Sequence, residues 1–307
     1  MSTTALSHDE LWPRAGSWPA AVELEGSIDL GLLGIPAHLT SLSPTNAHLT
    51  PAAIRDALRR YSPALTPDRG HHDLASLDQL VCADFGDIEN PDSPEGEART
   101  IAAMSLAAER SQLVMALGGD NSITVAAALG AFGNRLPSAG LITLDAHYDL
   151  RDGVSNGSPV RRLIEAGLDP RRIVQIGIQD FANSSHYAAR ARDYGITVIH
   201  RDECERRPMD DIMAEALEIA GSANGPIHVD IDVDVCDRAV APACPASVPG
   251  GLSAFDVRRA ARVAASDPRV ASIDLAEVDA SADSADARTI RLSALLVLEA
   301  LTGVASR

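Results

Sequence analysis

Residues 141–153 read LITLDAHYDLRDG and place Asp145, His147 and Asp149 at alternate positions. In extended chain, residues i, i+2 and i+4 point to one face. The four residues that open the stretch are apolar or β-branched and suit a buried strand. Two carboxylates and an imidazole therefore converge just beyond a strand's end. Hard oxygen donors with one imidazole suit Mn²⁺ and similar divalent ions rather than thiolate-preferring metals.

A second acidic run, HVDIDVDVCD over residues 228–237, alternates Asp230, Asp232 and Asp234 and adds Asp237 in the next turn. Several like charges on a buried parallel strand need a counter-charge. Ligands of open α/β sheets sit beyond the carboxyl ends of strands, where both clusters fall, so the two can meet. Asp145, Asp149, Asp232 and Asp234 bring four negative charges, which two divalent cations neutralise. Such pairs sit about 3.5–4 Å apart, and a water bridging them is hydroxide near neutral pH. Asp232 and Asp234 read as ligands, whereas Asp230 and Asp237 read as capping and loop hydrogen-bonding residues.

The elements that must position these groups follow an alternating pattern. Strands are expected at 28–35, 81–85, 113–117, 141–145, 172–178, 196–199, 227–235 and 270–275. Helices are expected at 51–61 (with Thr50 as N-cap and Pro51 at its first position), 98–112, 159–167, 184–194, 210–220, 253–265 and 284–303, with an Ala-rich helix after GGDNSIT. Residues 1–27 form a polar lead-in whose Trp12 and Trp18 should pack on the domain surface, and 28–307 form one doubly wound α/β domain with a mainly parallel sheet. The adjacent His71 and His72 point to opposite sides and read as surface residues.

Composition narrows the function. The chain has 307 residues, a net charge of −17, and 26 basic residues that are all Arg, which excludes nucleic acid and anionic membranes as partners. Cys82, Cys204, Cys236 and Cys244 lack a CxxC spacing and suggest reduced thiols of a cytosolic protein. There is no signal-peptide pattern and no apolar run of transmembrane length.

GGDNSIT (118–124), DAHYD (145–149), NGSP (156–159), DIDVDVCDRAVAPACPASVPGGLS (230–253) and DLAEVDAS (274–281) resemble, in order and spacing, the motifs of the arginase/agmatinase/formimidoylglutamase family of ureohydrolases. The resemblance implies a three-layer α/β/α fold, a binuclear Mn²⁺ site, hydrolysis of amidine or guanidine C–N bonds, and a homo-oligomer, commonly a trimer or hexamer. It assigns Asp145, His147, Asp149, Asp232 and Asp234 as metal ligands. The sixth ligand position, usually His, holds Asn121, a weaker neutral donor that implies one less tightly held ion. Relatives often carry a proton-shuttling His where this chain has Asn156; an amide cannot do acid–base work and is expected to hydrogen-bond substrate. Glu277 matches the acid that faces the substrate's cation, and Asp149 the proton relay.

DAHYDLR, with Arg151 close behind the metal motif, resembles formimidoylglutamases, as does FANSSHY (181–187), which places Asn183 and Ser184 at the site's border. An Arg beside a site for a cation makes sense when the substrate also carries a carboxylate. Arg161 and Arg162 are expected on a helix surface. The reading that follows is cleavage of N-formimino-L-glutamate to L-glutamate and formamide. Its rivals are a guanidino-acid hydrolase or agmatinase-like enzyme releasing urea, and a non-catalytic member that kept the fold.

Overall fold

The structure is a computed structural model and describes residues 6–65 and 76–307; His71 and His72 lie outside them. The strands are β1 (Ile28–Ile35), β2 (Cys82–Asp87), β3 (Ser111–Gly118), β4 (Gly140–Leu144), β5 (Ile173–Ile178), β6 (Thr197–His200), β7 (Ile227–Asp232) and β8 (Val270–Ala276). They form one sheet in the order β2-β1-β3-β8-β7-β4-β5-β6. Every pairing in it is parallel. Helices α1 (Thr50–Leu58), α2 (Pro94–Arg110), α3 (Ile123–Phe132), α4 (Pro159–Ala166), α5 (Ser185–Tyr194), α6 (Arg201–Cys204), α7 (Met209–Ala220), α8 (Ala254–Ser266) and α9 (Arg288–Val304) cover its two faces. This is the expected α/β/α arrangement. Strands sandwiched by helices must be apolar on both faces, and β4 and β5 are buried at every residue. One large apolar cluster joins α1, α7, α8 and α9 to the sheet, while Phe132, Leu141 and Leu163 anchor a second on the side of α3 and α4.

The differences from the sequence expectation are local, and each has a cause. The strand expected over 227–235 stops at Asp232, because Asp232 turns its carboxylate onto the N–H of Asp234 and starts a 3₁₀ turn, Val233–Val235. α2 begins at Pro94 because Ser93 caps it, accepting from Gly96 N at 3.0 Å. Thr50 does not cap α1; it lies inside the helix and donates to Val278 O. α9 starts at Arg288, since Asp283 turns back onto the N–H groups of Thr289 and Ile290. Ser253 does cap α8, in a capping box with Asp256. Trp18 packs on the core, but Trp12 stays 51% exposed beneath Arg14. Among the described residues no helix is long and apolar enough to cross a membrane.

Candidate active site

The loops that carry the acidic motifs follow β3, β8, β7 and β4, four neighbours at the middle of the sheet. A parallel sheet brings all four carboxyl ends to one edge, so groups far apart in sequence share one cavity. It has a volume of about 340 Å³, and His147, Asp149, Arg151, Asp232, Asp234 and Glu277 are among its lining residues. Behind β3, Gly119 lets the chain turn close under β1: a Cβ there would lie 2.2 Å from the carbonyl oxygen of Ala37.

Candidate ligand atoms of Asp145, His147 and Asp234 lie within 4.8 Å of one another. Asp234 Oδ2 sits 2.9 Å from His147 Nδ1 but out of hydrogen-bond alignment, and among the described residues Asp145 Oδ2 has no hydrogen-bond partner. Both oxygens are buried, and buried polar atoms rarely go unmatched. The other carboxylate oxygens are aimed by backbone donors: His147 N donates to Asp145 Oδ1 (2.6 Å) and Ala146 N to Asp234 Oδ1 (3.2 Å). Asp149 and Asp232 stand on the cavity wall beside this group. The donor set, carboxylates with one imidazole and two orphaned buried oxygens, fits hard divalent cations.

Burial and crowding govern protonation. Burial and then Asp234 push Asp145 up to about 6. Burial, then like charge from Asp145, holds Asp149 well above the usual carboxylate range; for Asp232 the causes are burial and then Asp234. Burial opposes the imidazolium of His147, yet Asp234 and Asp145 outweigh it and push it up to about 12. Burial opposes ionisation of Asp234 too, but His147 keeps its carboxyl low. Glu277, buried and near Asp120, rises to about 8. Cations in the cavity would substitute for these protons, as metal binding does generally.

The remaining sequence candidates take distinct places. Asn121 is buried, with its Nδ2 donating to Asp149 Oδ2 at 2.6 Å and its Oδ1 accepting from Thr124 at 2.9 Å. Asn156 Nδ2 donates to Glu277 Oε1 at 2.6 Å. Asn183 lines the cavity, but its amide is engaged by backbone: Oδ1 accepts from Tyr148 N, and Nδ2 donates to Ala146 O and Gln179 O. It staples the loop after β5 to the metal motif. Ser184 caps α5, accepting from Tyr187 N, and also lines the cavity. Arg151 stands at the mouth, its guanidinium carbon 6.0 Å from the Tyr187 ring centroid. Among the described residues it has no ion pair; the neighbouring Asp152 binds Arg190 instead, at 2.8 Å.

Three expectations need correction. Arg161 is not on the surface: it is 9% exposed and donates to the carbonyls of Arg151 and Gly153, latching the loop that carries Arg151. Arg162 is partly buried, and its Nη2 donates to both carboxylate oxygens of Glu97. Asp230 neither caps nor hydrogen-bonds a loop; it is fully buried on β7, opposite Asp274 on β8, and among the described residues no hydrogen-bond donor reaches either of its oxygens. Asp237 accepts from Ala239 N and Gly250 N, as a turn acid does. Sequence reasoning missed Thr124, which orients Asn121, and Tyr187, which lies under Arg151; a residue one helical turn past GGDN could have signalled the first. It also missed Phe181, fully exposed on the rim with φ +65. Asp149 and Glu277 too have positive φ, +53 and +64. Such strain in residues other than Gly gathers at functional sites.

The sequence model of the arginase family matches residues 28–303. The chain belongs to the arginase family. It is 32% identical to the formimidoylglutamase of Bacillus subtilis (strain 168) over 282 residues, covering 89% of this chain and 86% of that protein. It is 31% identical to the guanidinopropionase of Pseudomonas aeruginosa, covering 81% and 80%. The crystal structure of the Bacillus subtilis formimidoylglutamase superposes with a TM-score of 0.88 at 28% identity, covering 99% of this chain and 95% of that one. The proclavaminate amidino hydrolase of Streptomyces clavuligerus gives a TM-score of 0.81 at 27% identity, with 96% and 97% covered. These arginase-family relatives share the fold that brings the four loops together.

Proposed function

We propose that this arginase-family chain is a hydrolase of N-formimino-L-glutamate, forming L-glutamate and formamide. Asp145, His147, Asp149, Asp232 and Asp234 would hold a pair of Mn²⁺ ions, with Asn121 as a weaker sixth donor once its amide turns its oxygen from Thr124 toward the cavity. When bound, such a pair supplies Lewis acidity and a water-derived nucleophile at neutral pH. The observation that carries the substrate assignment is Arg151, a guanidinium without an ion pair among the described residues, at the mouth of a cavity whose floor is acidic. A substrate with a cationic amidine at one end and a carboxylate at the other matches both.

Glu277 pairs with the amidinium and holds its carbon over the acids. Arg151, steadied by Tyr187 and by the Arg161 latch, takes a substrate carboxylate, and Asn183 and Ser184 shape the wall beside it. Water adds to the amidine carbon, forming a C–O bond. Asp149, ionised once cations balance the buried charge, takes a proton from the attacking water and returns it to the glutamate nitrogen as that C–N bond breaks. The hydroxyl proton of the intermediate leaves as the formamide carbonyl forms and ends on the released amine, so the products are formamide and the ammonium form of glutamate.

The four cysteines are buried and unpaired, which supports a reducing, cytoplasmic setting. The reading includes a trimer or hexamer, which light scattering after size exclusion measures. The test of function is a product assay with the formimino compound, arginine, agmatine and guanidinobutyrate, with Mn²⁺ added. Formamide from the first compound is expected. Ammonia as the main nitrogen product, or urea from a guanidino acid with no turnover of the formimino compound, would overturn the assignment.

A further inference from the structure

Glu277 Oε1 accepts two hydrogen bonds from the protein, from Asn156 Nδ2 at 2.6 Å and from Asn121 N at 2.8 Å. A carboxylate oxygen has two lone-pair sites, so Oε1 is filled. Oε2 takes no hydrogen bond among the described residues, and Glu277 lines the cavity. The carboxylate is also fixed from behind: Glu277 N donates to Gly119 O at 2.9 Å, and the residue has φ +64. Asn156 is fixed in turn, because its Oδ1 accepts from Leu42 N at 3.0 Å. That bond sets the amide so that its nitrogen, not its oxygen, faces Glu277.

We infer that Asn156 is a specificity-determining residue that makes Glu277 a one-oxygen acceptor, selecting a formimidoyl group over a guanidino group. This rests on the substrate class proposed above. A formimidoyl group has one terminal nitrogen and a C–H where a guanidino group has a second nitrogen. One free oxygen satisfies the single terminal nitrogen. A guanidinium would present a second N–H-bearing nitrogen to a filled Oε1 and bury it unmatched, a penalty that discriminates strongly in enclosed sites. Asn156 lines the same cavity, so removing its side chain opens one lone pair of Oε1 towards the substrate. Asn156 thus acts through Glu277.

The experiment compares kcat/KM for N-formimino-L-glutamate and for guanidino acids of matched length in the Mn²⁺-loaded wild type, Asn156→Ala and Asn156→Ser. The ratio of guanidino to formimino turnover should rise by about tenfold or more in both variants, the size of one recovered hydrogen bond to a charged group. Asn156→Asp, isosteric but without the donor, should lower turnover of both substrates by setting a second carboxylate against Glu277. Equal losses on both substrate classes in Asn156→Ala and Asn156→Ser, with circular dichroism and metal content unchanged, would overturn the inference. A variant that does not fold leaves the ratio to be read from the other. Failure of the functional reading is separate, since it shows in the wild type alone as no turnover of the formimino compound.

Discussion

Removing divalent cations should make the protein lose stability as pH rises from about 5.5 to about 8, and restoring Mn²⁺ should abolish that loss. Glu277 is raised from 4.5 to about 8 and Asp145 from 3.8 to about 6. Both hold a proton more tightly folded than unfolded, so their contribution is full below the unfolded value and goes as pH climbs through the folded one. Glu277 alone accounts for about 3 kcal/mol between pH 5.5 and 8. Asp145 has lost most of its share by pH 6 and adds less than about 1 kcal/mol. His147, raised from 6.5 to about 12, loses its contribution above pH 6.5 and acts in the same direction. A chain of this size shifts its Tm by about 1.5 °C per kcal/mol, so Glu277 and Asp145 alone lower the metal-free Tm by about 6 °C across the window, and His147, Asp149 and Asp232 deepen the fall. Calorimetry on chelated and Mn²⁺-loaded protein at both pH values reads this directly, and Glu277→Gln should shrink the fall by about 4 °C. A metal-free Tm that is flat or rises, or a fall of equal size in the loaded protein, would refute the reasoning.

Other outcomes follow from single side chains. Asn121→His should raise Mn²⁺ affinity at one position, on the order of tenfold, because imidazole is a stronger donor than an amide oxygen. Metal analysis of purified wild type and variant, with titration, measures it; unchanged affinity at both positions would show that Asn121 is not a weak ligand. Arg151→Leu should raise KM for the formimino compound by about 10–100-fold with kcat little changed, the signature of lost uniform binding by a charged hydrogen bond. A fall in kcat at constant KM would place Arg151 in the chemical step instead.

The alternation of Asp145, His147 and Asp149 was legible because period two survives from sequence into extended chain, and the parallel sheet brought the second acidic run to the same edge. What could not be read were contacts that join one loop to another. Nothing in NGSP says that Asn156 points at Glu277, because that depends on Leu42 N, 114 residues earlier in the chain. Asp234 looked like a strand residue because its alternation continues past Asp232, yet a local side-chain bond to backbone ended the strand. Arg161 looked exposed because a charged residue on an amphipathic helix usually is. Its burial follows from two carbonyls in the preceding loop that no spacing rule reveals.

The strand order bears on how the enzyme is made. During synthesis β1, β2 and β3 emerge first and β4, β5 and β6 next, and these two triplets lie on opposite sides of a gap that only β8 and β7 fill. Until the ribosome has passed residue 276, the nascent chain has the loops of Asn121 and Asp145 but no bridge between them. β7 pairs with β4 and delivers Asp232 and Asp234 first, and β8 then closes the sheet and delivers Glu277. Completion of the cavity is thus a late step of biosynthesis, and arrested chains that end before β8 would expose the apolar edges of two half-sheets to chaperones and to one another.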